Sequence, residues 1–425
     1  MATGYLVYFG LPVLLLVIGF PVFLILLITS IVAILTIADV PPDALQTYMF
    51  GSLDNFPLMA VPFFVLTGEF MAQGGVARRV IAMVMAFVGG IRGSLGVTTV
   101  AASELFGAMS HTAIGTVVAM GRMLYPSLKD AGYDDRFAVG LIASSGAIAV
   151  MIPPSIAMIL YAVSAEQSAV QLFTAGILPS LLIGLIDGAF VLTYARIKRV
   201  PLGIRAHWQD VWRTTREASW SLGTLVVIFG GIYGGIFTPT EAAGVAVVYS
   251  IFVTMVVYRE VDIARFWKIL VDAAYLISQI LLIVTSAGIY SWLLTTSGIP
   301  QHIVGAIDAM HLTRWELLLS LNVGLLAAGS FLEPAPAILI LTPLLLPIVV
   351  GVGVNPIHFG IIVTVNLSIG MYTPPFGLNL FSSQAIFNAP LSRIYRGVLP
   401  FMVLNFLALL IITYVPAISM ALLSK

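Results

Sequence analysis

The stretch AVMIPPSIAMILYAV, residues 149–163, sets two adjacent prolines inside a run apolar enough to cross a membrane. A proline in a helix interior removes an i to i−4 hydrogen bond and clashes with the preceding turn, at a cost of roughly 3 kcal/mol. In hydrocarbon the carbonyls so freed have no water to turn to. The break at Pro153-Pro154 must therefore face protein, water or a ligand, and the rest of the chain decides which.

Composition fixes the compartment. Of 425 residues, 60% are hydrophobic and 9% charged, and the mean hydropathy is +1.07, where soluble domains carry about one quarter charged residues. The chain reads as an integral, all-α polytopic membrane protein. Runs of about 18 or more largely apolar residues recur, the length of a helix crossing a hydrocarbon core about 30 Å thick. A transmembrane barrel needs period-two strands, which the sequence lacks. The absence of cysteine rules out a disulfide framework or thiolate metal site and argues against redox chemistry. A net charge of zero says nothing about partners, and nothing suggests nucleic acid. The N-terminal MATGYLVYFGLPVLLL lacks the charged region of a cleaved signal peptide and reads as the first spanning helix.

Charge placement orients the spans. Connections at 74–92, 122–136, 196–217, 259–268 and 389–396 hold 17 of the 19 Lys and Arg, leaving only Arg314 and Lys425 elsewhere. The positive-inside rule makes these five cytoplasmic. The acidic loop DVPPDALQTYMFGSLDN (39–55) and SAEQSAVQ (164–171) then lie outside. RIKRVPLGIRAHWQDVWRTTR (196–216) reads as a headgroup-facing cytoplasmic linker, its Trp residues as interface anchors.

The break recurs. Shifting the chain by 221 positions aligns Pro126 with Pro347, Gly132 with Gly353, and Pro153-Pro154 with Pro374-Pro375. The same shift brings Gly176, Leu178 and Pro179 onto Gly397, Leu399 and Pro400. An unpaired helix at about 218–236 separates the copies, so they enter the membrane from opposite sides and are inverted repeats. Residues 93–122 begin and end on the basic side, which predicts a re-entrant helical hairpin with its tip near GAMSHT. Residues 315–349 are its counterpart, turning near GSFLEPAPA. The first repeat spans 1–198, with hairpin 93–122 and broken helix 137–162. A linker and extra transmembrane helix fill 199–238. The second repeat spans 239–425, with hairpin 315–349 and broken helix 357–386. Matching helix breaks in inverted repeats are the mark of a secondary transporter whose site lies near the bilayer midplane.

GAMSHTAIGTVVAMG, SSGAIAVMIPPSIAMILYAV, GGIFTPTEAAGVAVVYS, FLEPAPAILILTPLLLPI and NPIHFGIIVTVNLSIGMYTPPFGLNLF, in this order, closely resemble the large membrane subunit of tripartite ATP-independent periplasmic (TRAP) transporters, the DctM-like M subunit. The resemblance covers nearly the whole chain. It implies an elevator-type ion-transporter fold, and a sodium-driven importer in a bacterial or archaeal cytoplasmic (inner) membrane. It also implies two partners besides membrane lipids: a small membrane subunit of about four helices and a periplasmic substrate-binding protein. The expected cargo is a small organic anion, such as a C4-dicarboxylate or sugar acid.

No Lys or Arg falls at the expected midplane, so a substrate carboxylate must be met by helix N-termini, hydroxyls and bound cations. Na+ is the coupling ion that would supply the positive charge, and no organic cofactor is expected. A broken helix frees backbone carbonyls, the hard oxygen ligands that such a cation prefers. The sodium candidates are Ser103, Ser110, Ser145, Gly146 and Pro153 in the first repeat, with Gly329, Glu333, Asn366, Gly370, Thr373 and Pro374 in the second. The substrate candidates are His111, Thr112, Pro154, Ser155 and Pro375. Each hydroxyl could instead bond back to its own helix.

Two positions depart from the family pattern. The first tip, usually Ser-Gly-Ser, is Ser110-His111-Thr112, whose histidine could touch substrate, confer pH sensitivity or fill space. The second carries Glu333 where aspartate is common, either a cation ligand or a cap for the returning half-helix. Glu241 in TPTEAAG reads as a charge on a helix N-terminus. Glu69, Glu104 and Asp187 sit in apolar surroundings without a partner nameable from sequence. A membrane enzyme is disfavoured: Ala143-Ser144-Ser145-Gly146 lacks the leading glycine of a nucleophile motif, and no HExxH occurs. A channel and a stand-alone sodium/organic-anion symporter of related fold are the alternatives.

Overall fold

In a computed structural model of the chain, the structure describes residues 2–38, 40–203 and 205–423. Asp39 of the acidic loop and Lys425 lie outside them. Every regular element among the described residues is helical, apart from an isolated bridge between Arg92 and Leu202. That follows from composition, because backbone groups in hydrocarbon must be satisfied within their own segment.

The chain opens with α1 (Ala2–Tyr5), a π-helical turn and α2 (Leu11–Ile18), then α3 (Val22–Thr36) and the short α4 (Asp43–Gly51). Next, α5 (Ala60–Gln73) and α6 (Val76–Val88) lead to a helical hairpin of α7 (Ser94–Ser110) and α8 (Ala113–Asp130). A helix broken into α9 (Asp135–Ile148) and α10 (Ile156–Ser164) follows, then α11 (Ala169–Ile197) and α12 (Trp208–Tyr233). α13 (Pro239–Phe252), α14 (Ile263–Thr296) and α15 (Ile299–Ala309) precede a second hairpin, α16 (Arg314–Phe331) and α17 (Pro334–Gly351). A second broken helix, α18 (Pro356–Gly370) and α19 (Leu378–Phe387), leads to α20 (Leu391–Tyr414) and the final turn α21 (Ala417–Met420). Among the described residues, six helical stretches are long and apolar enough to cross a membrane.

The connections are more helical than hydropathy suggests. Residues 74–92 contain α6, whose Val76, Val80, Ile81 and Val84 form a buried stripe against α7 and α12. Its spacing is that of an amphipathic helix, so Arg78 and Arg79 interrupt the hydropathy but not the helix. For the same reason α8, α12, α14 and α20 run a turn or more into stretches that carry Lys129, Arg213, Arg265 and Arg393.

Capping boxes begin α13 and α16. Thr238 and Glu241 form a capping box: the Thr238 N–H donates to Glu241 Oε2 at 2.8 Å, and the Glu241 N–H donates to Thr238 Oγ1 at 3.3 Å. Thr313 and Glu316 repeat it at the start of α16.

The broken helices form the centre. Every residue from Phe137 to Ile148 on α9 and from Ile357 to Gly370 on α18 is buried, the pattern of a helix enclosed on all sides. α9 packs against α7, α8, α18, α19 and α20. Gly140 and Gly397 let α9 and α20 meet backbone to backbone, since a Cβ on Gly140 would collide with the Gly397 carbonyl. Tyr161 Oη on α10 donates to the Pro356 carbonyl at 2.7 Å, joining the end of one broken helix to the start of the other.

Candidate functional site

The first hairpin turns at His111, whose left-handed φ of 55° ends α7, and at extended Thr112, which precedes α8. The first break runs from Ala149 to Ser155 between α9 and α10. Small residues bring the two together. A Cβ on Gly107 would strike Ala149, and one on Gly146 would strike Val117. His111 Nδ1 lies 2.9 Å from the Pro154 carbonyl oxygen, and its ring packs edge-on against Phe64 at 5.0 Å.

At this break Ser155 caps α10: its Oγ accepts from the Met158 N–H at 3.4 Å and donates to the Val150 carbonyl at 2.5 Å. The carbonyls of Met151, Ile152 and Pro153 accept no hydrogen bond among the described residues. Ser110 Oγ is 3.2 Å from Thr116 Oγ1, and Thr116 also donates to the Thr112 carbonyl. Ser103 and Ser145 are fully buried, and neither Oγ has a partner. A hydroxyl on an apolar helix ordinarily bonds back to its own backbone, so these two are exceptions.

The second hairpin turns at Leu332 and Glu333, and the second break spans 371–377. Gly329 and Gly370 put the hairpin arm and the broken helix in backbone contact: a Cβ on Gly370 would stand 2.5 Å from the Gly329 carbonyl carbon. Phe331 packs on Phe376 at 5.1 Å, tip to break. The bond within each proline pair, Pro153-Pro154 and Pro374-Pro375, is cis.

Individual candidates differ here. Thr373 bonds back to the Ile369 carbonyl at 2.8 Å, the self-satisfied arrangement. Asn366 turns its amide to Asn322 Oδ1 at 2.6 Å, while its own buried Oδ1 lacks a partner. Glu333 occupies the N-cap position of α17, but its side chain is exposed and makes no cap bond. Pro374 is half-buried. Pro375 is exposed, and its carbonyl accepts from Tyr395 Oη at 2.8 Å.

Asn379 joins the two halves. At the start of α19 its Nδ2 donates to the Ala143 carbonyl at 3.2 Å, two residues before Ser145 on α9. Asn379 Oδ1 and Ser383 Oγ, both on α19, are buried without partners. Sequence reasoning singles out neither; the available signal is the asparagine of FGLNLF, which follows the second proline pair directly, while nothing local distinguishes Ser383. Asn322 was missed as well, because nothing in LSLNVGLL distinguishes it from a surface amide.

The chemistry that this geometry permits is specific. The C-terminal ends of α7, α9, α16 and α18 bring carbonyls to the tips and breaks, and the N-terminal ends of α8, α10, α17 and α19 bring N–H groups. The former favour cations and the latter anions. No Lys or Arg occurs in residues 93–121, 137–195 or 315–392. Buried oxygens without donors suit a hard cation, and an orphaned buried oxygen is costly otherwise.

The chain matches the family described as "Tripartite ATP-independent periplasmic transporter, DctM component" over residues 9–418. It is 41% identical over 391 residues to the C4-dicarboxylate TRAP transporter large permease protein DctM of Pseudomonas aeruginosa, covering 91% of this chain and 92% of that protein. It is 39% identical over 420 residues to the isethionate TRAP transporter permease protein DctMQ of Oleidesulfovibrio alaskensis, covering 97% of this chain and 65% of that protein. The YdaH transporter of Alcanivorax borkumensis, a crystal structure with an unusual topology, superposes with a TM-score of 0.64 over 95% of this chain and 97% of that chain. At 15% identity that likeness is one of fold.

Proposed function

The chain belongs to the DctM component family of the tripartite ATP-independent periplasmic transporters, and on that premise we propose that it imports a small organic anion together with Na+. It is a multi-pass transporter component, not an enzyme. In this reading residues 1–198 and 239–425 are inverted repeats, and the hairpins and broken helices move as one body in an elevator-type cycle across a bacterial or archaeal cytoplasmic membrane. A periplasmic binding protein delivers the substrate, and a small four-helix membrane subunit completes the assembly. The DctMQ relative, of which this chain covers 65%, supports a second component beside the large permease.

The observation that carries the proposal is the pairing of each hairpin tip with a helix break, where Ser103, Ser145, Asn366 and Asn379 leave buried oxygens unpartnered and no cationic side chain is near. Bound Na+, as a co-substrate, would supply the charge that a carboxylate or sulfonate needs. The named cargoes of the two relatives, a C4-dicarboxylate and isethionate, fit such a site. Ser103, Ser110, Ser145, Gly146 and Pro153 are the proposed sodium residues of the first half, and Gly329, Glu333, Asn366, Gly370, Thr373 and Pro374 those of the second. Thr112, Pro154, Ser155 and Pro375 would face substrate with His111. A carbonyl can only accept, so His111 Nδ1 carries the proton toward Pro154. In the neutral ring Nε2 is then an acceptor, suited to a substrate hydroxyl.

The test is uptake of labelled C4-dicarboxylate into proteoliposomes that hold the chain with its small subunit and binding protein. Uptake should follow an imposed sodium gradient and stop when the binding protein is omitted. Uptake indifferent to sodium would contradict the importer reading, and sodium-driven uptake without the binding protein would favour a stand-alone symporter.

A further inference from the structure

We propose that Asp187, Glu104, Asn405 and Tyr372 form a further cation site, for an alkali ion, between the first hairpin and the second break. It goes beyond the sodium sites at the breaks and rests on different side chains. Asp187 on α11 and Asn405 on α20 are both 0% exposed. Asn405 Nδ2 donates to Tyr372 Oη at 2.8 Å and to Asp187 Oδ2 at 3.4 Å. The Glu104 carboxylate, on α7, lies against Gly184, one turn before Asp187 on α11.

Three oxygens in this cluster have no partner: Asp187 Oδ1, Glu104 Oε1 and Asn405 Oδ1. Besides the two acids, the cluster thus holds an amide oxygen, on the fully buried Asn405, that has no donor. Among the described residues, no ion pair involves Asp187 or Glu104. Carboxylates buried at membrane depth need a positive partner, and a hard cation takes oxygen ligands. The Asn405 amide N–H is turned inward, which leaves few free oxygens. Calcium would take about six to eight, so the set suits an alkali ion. Tyr372 lies in the second break, beside Thr373, so an ion here would tie α7, α11 and α20 to that break.

The test is thermal denaturation of the purified full chain, titrated with sodium chloride against choline chloride. An ion that binds only the folded state raises the melting temperature with its concentration. Asp187→Asn should raise the sodium concentration for half the shift about tenfold, or about 1.4 kcal/mol, while choline has no effect. Asp187→Asn that is more stable in choline yet keeps the parent's sodium response would mark a purely structural carboxyl and overturn the site. A stabilisation by calcium or magnesium that Asp187→Asn abolishes would overturn the alkali assignment. If Asp187→Asn does not fold, Tyr372→Phe, which deletes one oxygen and keeps the ring, is read the same way. Ser145→Ala separates the two readings: loss of response there with a normal response in Asp187→Asn excludes this site and leaves the break sites standing.

Discussion

His111 Nδ1 stands 2.9 Å from the carbonyl oxygen of Pro154, so the tip of the first hairpin is held to the first helix break by one hydrogen bond. His111→Gly keeps the left-handed turn, which glycine adopts freely, and removes the bond, worth about 0.5–1.5 kcal/mol. It also deletes the buried ring packed on Phe64, so it should melt below the parent and slow uptake about tenfold. His111→Ala should add about 1–2 kcal/mol of backbone cost. Equal uptake by parent and glycine variant would assign the ring to space-filling.

Gly370 and Gly329 predict a steric result. Gly370→Ala drives a Cβ into the Gly329 backbone, and overpacking of this kind costs about 1–3 kcal/mol. Its melting temperature and uptake should both fall. Gly324→Ala on the same hairpin arm meets nothing within 4 Å and should match the parent within about 0.5 kcal/mol.

Ser145 and Asn379 predict a change in sodium affinity. Each offers a buried oxygen without a partner, and Asn379 bonds α9 beside Ser145. Ser145→Ala should raise the half-saturating sodium concentration for uptake about tenfold, a loss of about 1.4 kcal/mol. Maximal uptake at high sodium should recover. A lower maximum with unchanged sodium dependence would place Ser145 outside the cation site.

The charged cluster around Asp135 predicts a pH effect. Asp135 accepts from the Tyr125 hydroxyl and pairs with Arg393 at 2.8 Å and Lys129 at 3.5 Å. Burial pushes its carboxyl up, but these partners outweigh burial and hold it below the usual carboxylate range. A depressed carboxyl stabilises above its unfolded value, near 4, and that stability is lost as pH falls through the folded value. Arg393→Ala should therefore cost about 0.2–1 kcal/mol at neutral pH. The difference from the parent in thermal denaturation should shrink in acid; a difference constant with pH would point to packing.

Much of this was legible because a membrane limits what a backbone can do. Pro153-Pro154 and Pro374-Pro375 mark real interruptions between helices, and the hairpin turns fall at Ser110-His111-Thr112 and at Leu332-Glu333. Helix ends were less legible, because α6 and α12 carry arginines that hydropathy counts as loop while apolar spacing keeps them helical. Side-chain partners were not legible at all. Thr373 satisfies itself and Ser145 does not, a difference set by packing across helices. Asp187 meets Asn405 across 218 residues, a pairing that no local pattern announces.

In the proposed cycle, sodium enters with the substrate through the paired breaks. Radiosodium and labelled C4-dicarboxylate should be counted together in proteoliposomes that hold the chain, its small subunit and the binding protein. Sodium should enter in fixed proportion to substrate, with both fluxes reduced in Ser145→Ala at low sodium. Substrate that accumulates while no sodium crosses would contradict it.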